Sequence, residues 1–369
     1  MFGKIFSFLK KIDWILFFSV FLLVLFGLAE IYSIALSKSG TDLGNFKKQV
    51  IFVALGLVLM LILSLIDYHN FRSFGNYLYI SGAFLLLGVL IFGVTVKGTN
   101  GWYDIGGFRL QPVEFAKIAL IIFLAKYFSN NSVKLKPLRH LVISGLASLV
   151  YILLVLKQPD FGSALVLFSI WGAMIFFAGF NVRYIAIIAG ILIVTFVLGW
   201  LVFFKPYQKQ RIMTFFKPSM EDSLGEGYNI TQAIIAVGSG GLFGRGIGFG
   251  SQSQLKFLPE AQTDFIFAVI SEELGLVGVF LVISFFAIFF VRLITIIRKA
   301  NDDFAIYFLL GTLSLIFIEM FVNIGMNIGL LPVVGIALPF LSYGGSVVIS
   351  TFILVGIAES INIRNKVKY

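Results

Sequence analysis

The chain has no cysteine, which excludes disulfides, thiolate nucleophiles, zinc–sulfur sites and iron–sulfur clusters. Its two histidines, His69 and His140, lie far apart in hydrophilic connectors, so a histidine metal centre is not expected. Charge is scarce too. Only 12% of residues are Asp, Glu, Lys or Arg, about half the share of roughly 25% found in soluble domains. In their place stand 59% apolar residues, 43 of them Phe, at a mean hydropathy of +1.01 over 369 residues. A water-soluble fold of this size has no interior large enough to hide that surface, and disorder or fibrous repeats are excluded as well. The net charge of +10 would suggest nucleic acid in a soluble protein. Here its placement points to topology and anionic membrane lipids instead, and no nucleic-acid partner is expected. The composition specifies a polytopic membrane protein.

A bilayer core of about 30 Å takes about 20 apolar residues per helix. Ten runs qualify: 14–36, 49–66, 77–96, 112–128, 141–156, 163–179, 184–204, 265–291, 304–327 and 346–361. The expected fold is all-α, ten transmembrane helices in a single domain over 1–369, with one long extracytoplasmic loop at about 205–264. The first run follows Lys4, Lys10 and Lys11 as a signal peptide would. It is too long for one and no small-residue cleavage site follows, so it reads as a retained helix. With the N-terminus inside, fifteen Lys and Arg fall in inner connectors and six in short outer ones. That bias places both termini in the cytoplasm.

Ionisable residues inside such a bundle are functional candidates, and they gather on the outer side. QPVEFAK (111–117) opens the fourth span with Pro112 in the first turn, Glu114 at the positive helix end, and Lys117 at i+3 on the same face. The pair reads either as a structural ion pair between helices or as a cation lining a headgroup cavity. The preceding outer loop, 97–109, holds four glycines and the pair Trp102 and Tyr103. These are interfacial anchors, or Trp102 stacks on a sugar. Asp160, in the hairpin KQPDFGS (157–163), either caps the sixth helix or binds a cation or substrate hydroxyl.

The long loop carries seven glycines in 238–250 around Arg245, and fits neither the Walker A nor the G-x-G-x-x-G pattern. It is a hinge, or a backbone able to wrap a pyrophosphate. Asp264 sits where this loop re-enters an apolar helix, as an N-cap or as a partly desolvated general base. Glu272 and Glu273 follow two turns on and need partners. The last outer loop, 323–346, has two prolines and five glycines in apolar sequence and reads as a broken or re-entrant segment, with Ser342, Tyr343 and Ser346 facing a headgroup.

Together these segments resemble the SEDS family (shape, elongation, division and sporulation), over essentially the whole chain, and the short termini are most similar to RodA-type members. The motifs are QPVEFAK (111–117), KQPDFGSAL (157–165), GSGGLFGRGIGFGSQSQLKFLPEAQTDFIFAVISEELG (238–275) and NIGMNIGLLPVVGIALPFLSYGGS (323–346). Val113 stands where Ser is common, and Ala337 where Pro is common. The resemblance implies polymerisation of lipid II at the outer face of the cytoplasmic membrane, in cell elongation and shape maintenance, with a class B penicillin-binding protein that crosslinks the strands. It also implies that Asp264 is the family's essential aspartate, Trp102 its sensitive tryptophan, and Glu114 and Lys117 its glutamate–lysine pair. On that basis Asp264 is the expected base. Lys117, Arg211 and Arg245 are expected to clamp the undecaprenyl-linked pyrophosphate, and a divalent cation (Mg or Mn) is an optional aid. A lipid II flippase and a non-catalytic scaffold for the penicillin-binding protein are the alternatives.

Overall fold

The computed structural model describes residues 11–36, 42–96, 98–131, 136–184, 186–187, 190 and 226–365. Among them, long helices occupy nine of the ten apolar runs. These are α1 (Trp14–Ala35), α2 (Gly44–Leu65), α3 (Tyr68–Phe92), α4 (Pro112–Asn130), α5 (Pro137–Leu156), α6 (Phe161–Phe177), α9 (Ile266–Lys299), α10 (Asp303–Asn327) and α11 (Gly345–Asn365). Two shorter helices, α7 (Glu226–Ser239) and α8 (Ser251–Gln254), lie in the long loop. The run 184–204 and the loop up to 225 fall almost wholly outside the described residues.

Seven of the described helices are long and apolar enough to cross a bilayer. α6 is shorter, at 17 residues, and α4 carries Glu114, Lys117 and Lys126. The charges on α4 are tolerable because it is the central helix: α3, α10, α11, α6 and α5 all pack on it, and Leu120, Ile121, Leu124 and Ala125 have no exposure. Local chemistry sets the helix starts. Asp13, Asp67 and Asp160 each accept a backbone N–H in the first turn of α1, α3 and α6, and prolines open α4 and α5. At the end of the bundle that carries these α1 and α3 caps, Arg292 pairs with Asp13, Arg72 with Asp302 (3.2 Å) and Arg364 with Asp67 (3.4 Å).

Two features depart from a plain helical bundle. The segment expected as an outer loop, 97–109, contributes through its described residues to a three-stranded antiparallel sheet: β1 (Val94–Val96), β2 (Thr99–Ile105) and β3 (Phe108–Leu110), in that order. β2 and β3 pair Ile105 with Phe108 across Gly106 and Gly107, both at positive φ, and the Asp104 carboxylate takes the Gly107 N–H at 3.0 Å. This is a two-residue Gly-Gly hairpin, whose turn requires positive φ at both positions.

The second departure is a break in α9 at Gly275 (φ 64°, ψ −159°). The freed backbone groups bond the glycine-rich loop. Arg245 N–H and Gly246 N–H donate to the carbonyls of Glu272 and Glu273 (3.0 and 2.9 Å), and Leu276 and Val277 donate to those of Gly241 and Leu242 (3.0 and 3.1 Å). A Cβ on Gly244 or Gly275 would collide with the other chain segment. The glycines are there so that two backbones can cross at membrane depth with their polar groups satisfied.

Candidate active site

Asp264 lies one residue before Phe265, the N-cap of α9, and is half-buried. Its main chain is fixed from α10, whose Asn323 and Asn327 both donate side-chain N–H groups to the Asp264 carbonyl at 3.0 Å. Asn323 also donates to the carbonyl of Ile336 (2.8 Å), and the Asn327 amide oxygen accepts from Ala268 N–H (3.1 Å). The Asp264 carboxylate is directed toward the last loop, next to Gly335.

That loop runs from 328 to 344 without regular structure, yet Ile336, Leu338, Phe340 and Leu341 within it are buried. It is irregular backbone buried in protein, which is the setting such backbone requires at membrane depth. Ser342 corrects an expectation. It is 1% exposed, and its hydroxyl donates to the Thr263 carbonyl (2.6 Å) while accepting from Leu338 N–H (2.8 Å), so it braces the chain beside Asp264 and does not face a headgroup. Ser346 is likewise buried, its hydroxyl accepting from Gln111 N–H (2.8 Å). Tyr343 N–H donates to the Gln262 carbonyl (2.7 Å). Its half-buried ring leaves a phenol whose pKa burial pushes above the ordinary 10.0, against the pull of Arg109. Gln49 of α2 holds Ser342 and Gly344 by their main chains, and Asn45 reaches Gln262 (2.8 Å).

Lys117 is 3% exposed, with its ammonium 2.8 Å from Glu114 and 2.6 Å from Glu319 of α10. Sequence spacing gave the first partner and missed the second, which is distant in sequence. The available signal was a lone carboxylate inside an otherwise apolar run. Of the two readings of Lys117, the interhelical ion pair is the one realised. Glu319 and Asn323 stand one turn apart on α10, so the helix that neutralises Lys117 also carries the clamp on Asp264.

Asp160 caps α6, its Oδ1 accepting from Ser163 N–H (2.9 Å) and its Oδ2 from Ser163 Oγ (2.7 Å), and the Gln111 side chain approaches Oδ2 at 3.5 Å. The sheet rests on the same turn through Asn100 N–H to the Gln158 carbonyl (3.2 Å). Trp102 is half-buried, two residues along β2 from that bond and opposite Val94 of β1.

Arg245 is exposed and donates to Ser251 Oγ at 2.8 Å. Around it, the N–H groups of Gly244, Arg245, Gly246 and Phe249 are bonded to carbonyls of the protein. Gly248 N–H goes to Glu273 (3.0 Å), and Gln252 and Ser253 N–H groups go to Glu272 (2.8 and 3.1 Å). The partners that Glu272 and Glu273 required are these loop donors. Arg211 lies outside the described residues. Asp264, Ser342 and Tyr343 thus share one bonded unit, which α10 joins to Lys117 and Glu114. Asp160 flanks it through Gln111, Trp102 stands apart on the sheet, and Arg245 belongs to the Glu272–Glu273 crossing.

A cell cycle protein family model, named for FtsW, RodA and SpoVE, matches residues 13–367. The chain belongs to this family. It is 39% identical to the peptidoglycan glycosyltransferase MrdB of Escherichia coli K12 over 331 residues, 89% of each chain. It is 38% identical to the stage V sporulation protein E of Bacillus subtilis 168, over 88% of this chain and 87% of that one. Its fold is similar to that of a chain in a structure describing coordination of polymerization and crosslinking by a peptidoglycan synthase complex, with a TM-score of 0.81 and 26% identity, covering 97% and 99% of the two chains. It also matches the crystal structure of the Thermus thermophilus rod shape determining protein RodA, with a TM-score of 0.71 and 27% identity over 97% and 98%.

Proposed function

We propose that the chain is a peptidoglycan glycosyltransferase that polymerises lipid II at the outer face of the cytoplasmic membrane, with Asp264 as general base. The observation that carries this reading is the seat of Asp264: a half-buried carboxylate at the rim of the bundle, its main chain fixed by two asparagines. The relatives that bear the name peptidoglycan glycosyltransferase support it.

In the reaction, the 4-hydroxyl of an acceptor GlcNAc gives its proton to Asp264 as its oxygen bonds to C1 of the donor MurNAc. The C1–O bond to undecaprenyl pyrophosphate breaks, and its electron pair leaves with the phosphate oxygen. A single displacement converts the α linkage to a β-1,4 bond, so no covalent enzyme intermediate is needed. Arg245, with its exposed guanidinium, and Arg211 are the candidate cations for the departing diphosphate. Lys117, already balanced by Glu114 and Glu319, serves by fixing α4 to α10 beneath the base. Trp102 offers a sugar a ring face, Asp160 an acceptor and Tyr343 a neutral donor. Among the described residues, no three carboxylates or histidines are grouped to hold a metal. A divalent ion (Mg or Mn) therefore fits only as a companion of the substrate pyrophosphate, and no step here runs through it.

The excess of inner Lys and Arg supports cytoplasmic termini and an outward-facing Asp264. The synthase-complex neighbour supports a crosslinking partner, a class B penicillin-binding protein. The break in α9 is the feature that favours a flippase, since broken helices carry transporter sites. Here, however, the freed groups are bonded within the protein. The test is strand synthesis from lipid II by the full chain with its partner. Asp264→Asn is expected to lower the rate by about 10²–10⁴-fold with thermal stability retained. A normal rate in that variant overturns the assignment.

A further inference from the structure

Glu30 of α1 is 1% exposed, and neither of its carboxylate oxygens has a hydrogen-bond partner. It stands one turn before Ser33 on α1, whose hydroxyl lies 2.6 Å from Glu273 Oε2, so the Glu30 and Glu273 carboxyls face the same buried space between α1 and α9. Glu273 is the opposite case. Its Oε2 accepts from Ser33 Oγ (2.6 Å) and Gly248 N–H (3.0 Å), and its Oε1 from Ser253 Oγ (3.1 Å) and the Gln254 amide (3.2 Å). Donors thus gather on Glu273 and are missing from Glu30, so of the two carboxyls Glu30 is the one placed to carry a proton.

The other charged groups facing the pair are Glu272, itself saturated by loop donors, and Arg245, which reaches Ser251 and through it Glu272. No Lys, Arg or His side chain bonds Glu30 among the described residues. Two adjacent buried anions need a positive charge between them.

We propose that Glu30 and Glu273 form a proton-binding site, in which a single proton carried by Glu30 is donated to Glu273 and latches α1 to the loop that leads into Asp264. The latch joins three elements, since the Gln254 amide also bonds the main chain and hydroxyl of Ser33 (3.1 and 3.3 Å). From α8 the chain runs directly through 255–263 to Asp264. Loss of the proton sets two anions against each other and loosens that path.

The test uses the purified full chain in lipid nanodiscs and does not depend on the assignment of Asp264. At neutral pH, infrared difference spectra in H2O and D2O are expected to show the carbonyl band of a protonated carboxylic acid, and Glu30→Gln is expected to abolish it. Thermal stability of the wild type should fall as pH rises, because the native state holds a proton that the unfolded chain has released. Glu30→Gln, whose amide donates to Glu273 without a titratable proton, should lose that dependence. If it does not fold, Glu273→Gln serves, since its amide can donate to an ionised Glu30 and the band is again lost. An unchanged band in the folded variant overturns the proposal. So does a melting temperature that rises with sodium, relative to choline, in the wild type alone, since a metal ion is then the occupant.

Discussion

Asn323 holds Asp264 by the main chain and not by the carboxylate, its amide lying 3.0 Å from the Asp264 carbonyl and 2.8 Å from that of Ile336. The carboxylate is left to point at the last loop, while the backbone that aims it is tied to a packed helix. Asn323→Ala leaves the Ile336 carbonyl of the buried loop without its donor and the Asp264 carbonyl with Asn327 alone. It is expected to cost about 1–3 kcal/mol in thermal unfolding and to lower kcat for strand synthesis more than it raises KM for lipid II. Asn327→Ala should act in the same direction. A change confined to KM would remove the positioning role.

Lys117 sits between two carboxylates in the driest part of the bundle. Lys117→Met leaves Glu114 and Glu319 buried without a counter-ion, and the expected loss is about 3–5 kcal/mol. Adding Glu114→Gln and Glu319→Gln removes the stranded charge. The triple variant should then recover most of the melting temperature measured in detergent. A triple variant no more stable than Lys117→Met would contradict the ion-pair account.

The crossing at Gly275 tolerates no side chain. Gly275→Ala adds a Cβ at positive φ against the Gly244 backbone, so the loop must separate from α9. Unfolding at a markedly lower temperature is expected, together with faster amide exchange at Gly246 and Gly248. Gly172, whose surroundings are open, is the control, and Gly172→Ala should change little.

Because burial raises the Tyr343 pKa above 10.0, its phenol stays protonated and can only gain or lose function as a neutral donor at working pH. Tyr343→Phe should therefore weaken lipid II use by a uniform factor between pH 6 and 9, about 0.5–1.5 kcal/mol for one hydrogen bond, without altering the shape of the pH profile. A shift in the profile's basic limb would show that the phenol titrates in catalysis.

The helices were legible because each needs a long apolar run, and the bilayer makes that requirement strict. Lys117 with Glu114 was legible because three residues of helix fix their geometry. Glu319 was not, because nothing local links it to Lys117 and only the packing of α10 on α4 brings them together. The sheet was overlooked although Gly106 and Gly107 between two short apolar runs are a hairpin signal, since glycine also suits an open loop. Ser342 was misjudged for a related reason. A serine in an outer loop looks exposed until the carbonyl of Thr263 is found beside it.

The groups that brace Asp264 come from both ends of the chain. Gln49 near the start holds Gly344 near the end, and Gln111 reaches Ser346. During membrane insertion from the ribosome, the aspartate therefore emerges well before the parts that complete its surroundings. A nascent chain still lacking its last helix has no Ser346 to hold Gln111, and strand synthesis by such half-made protein is expected to be impaired.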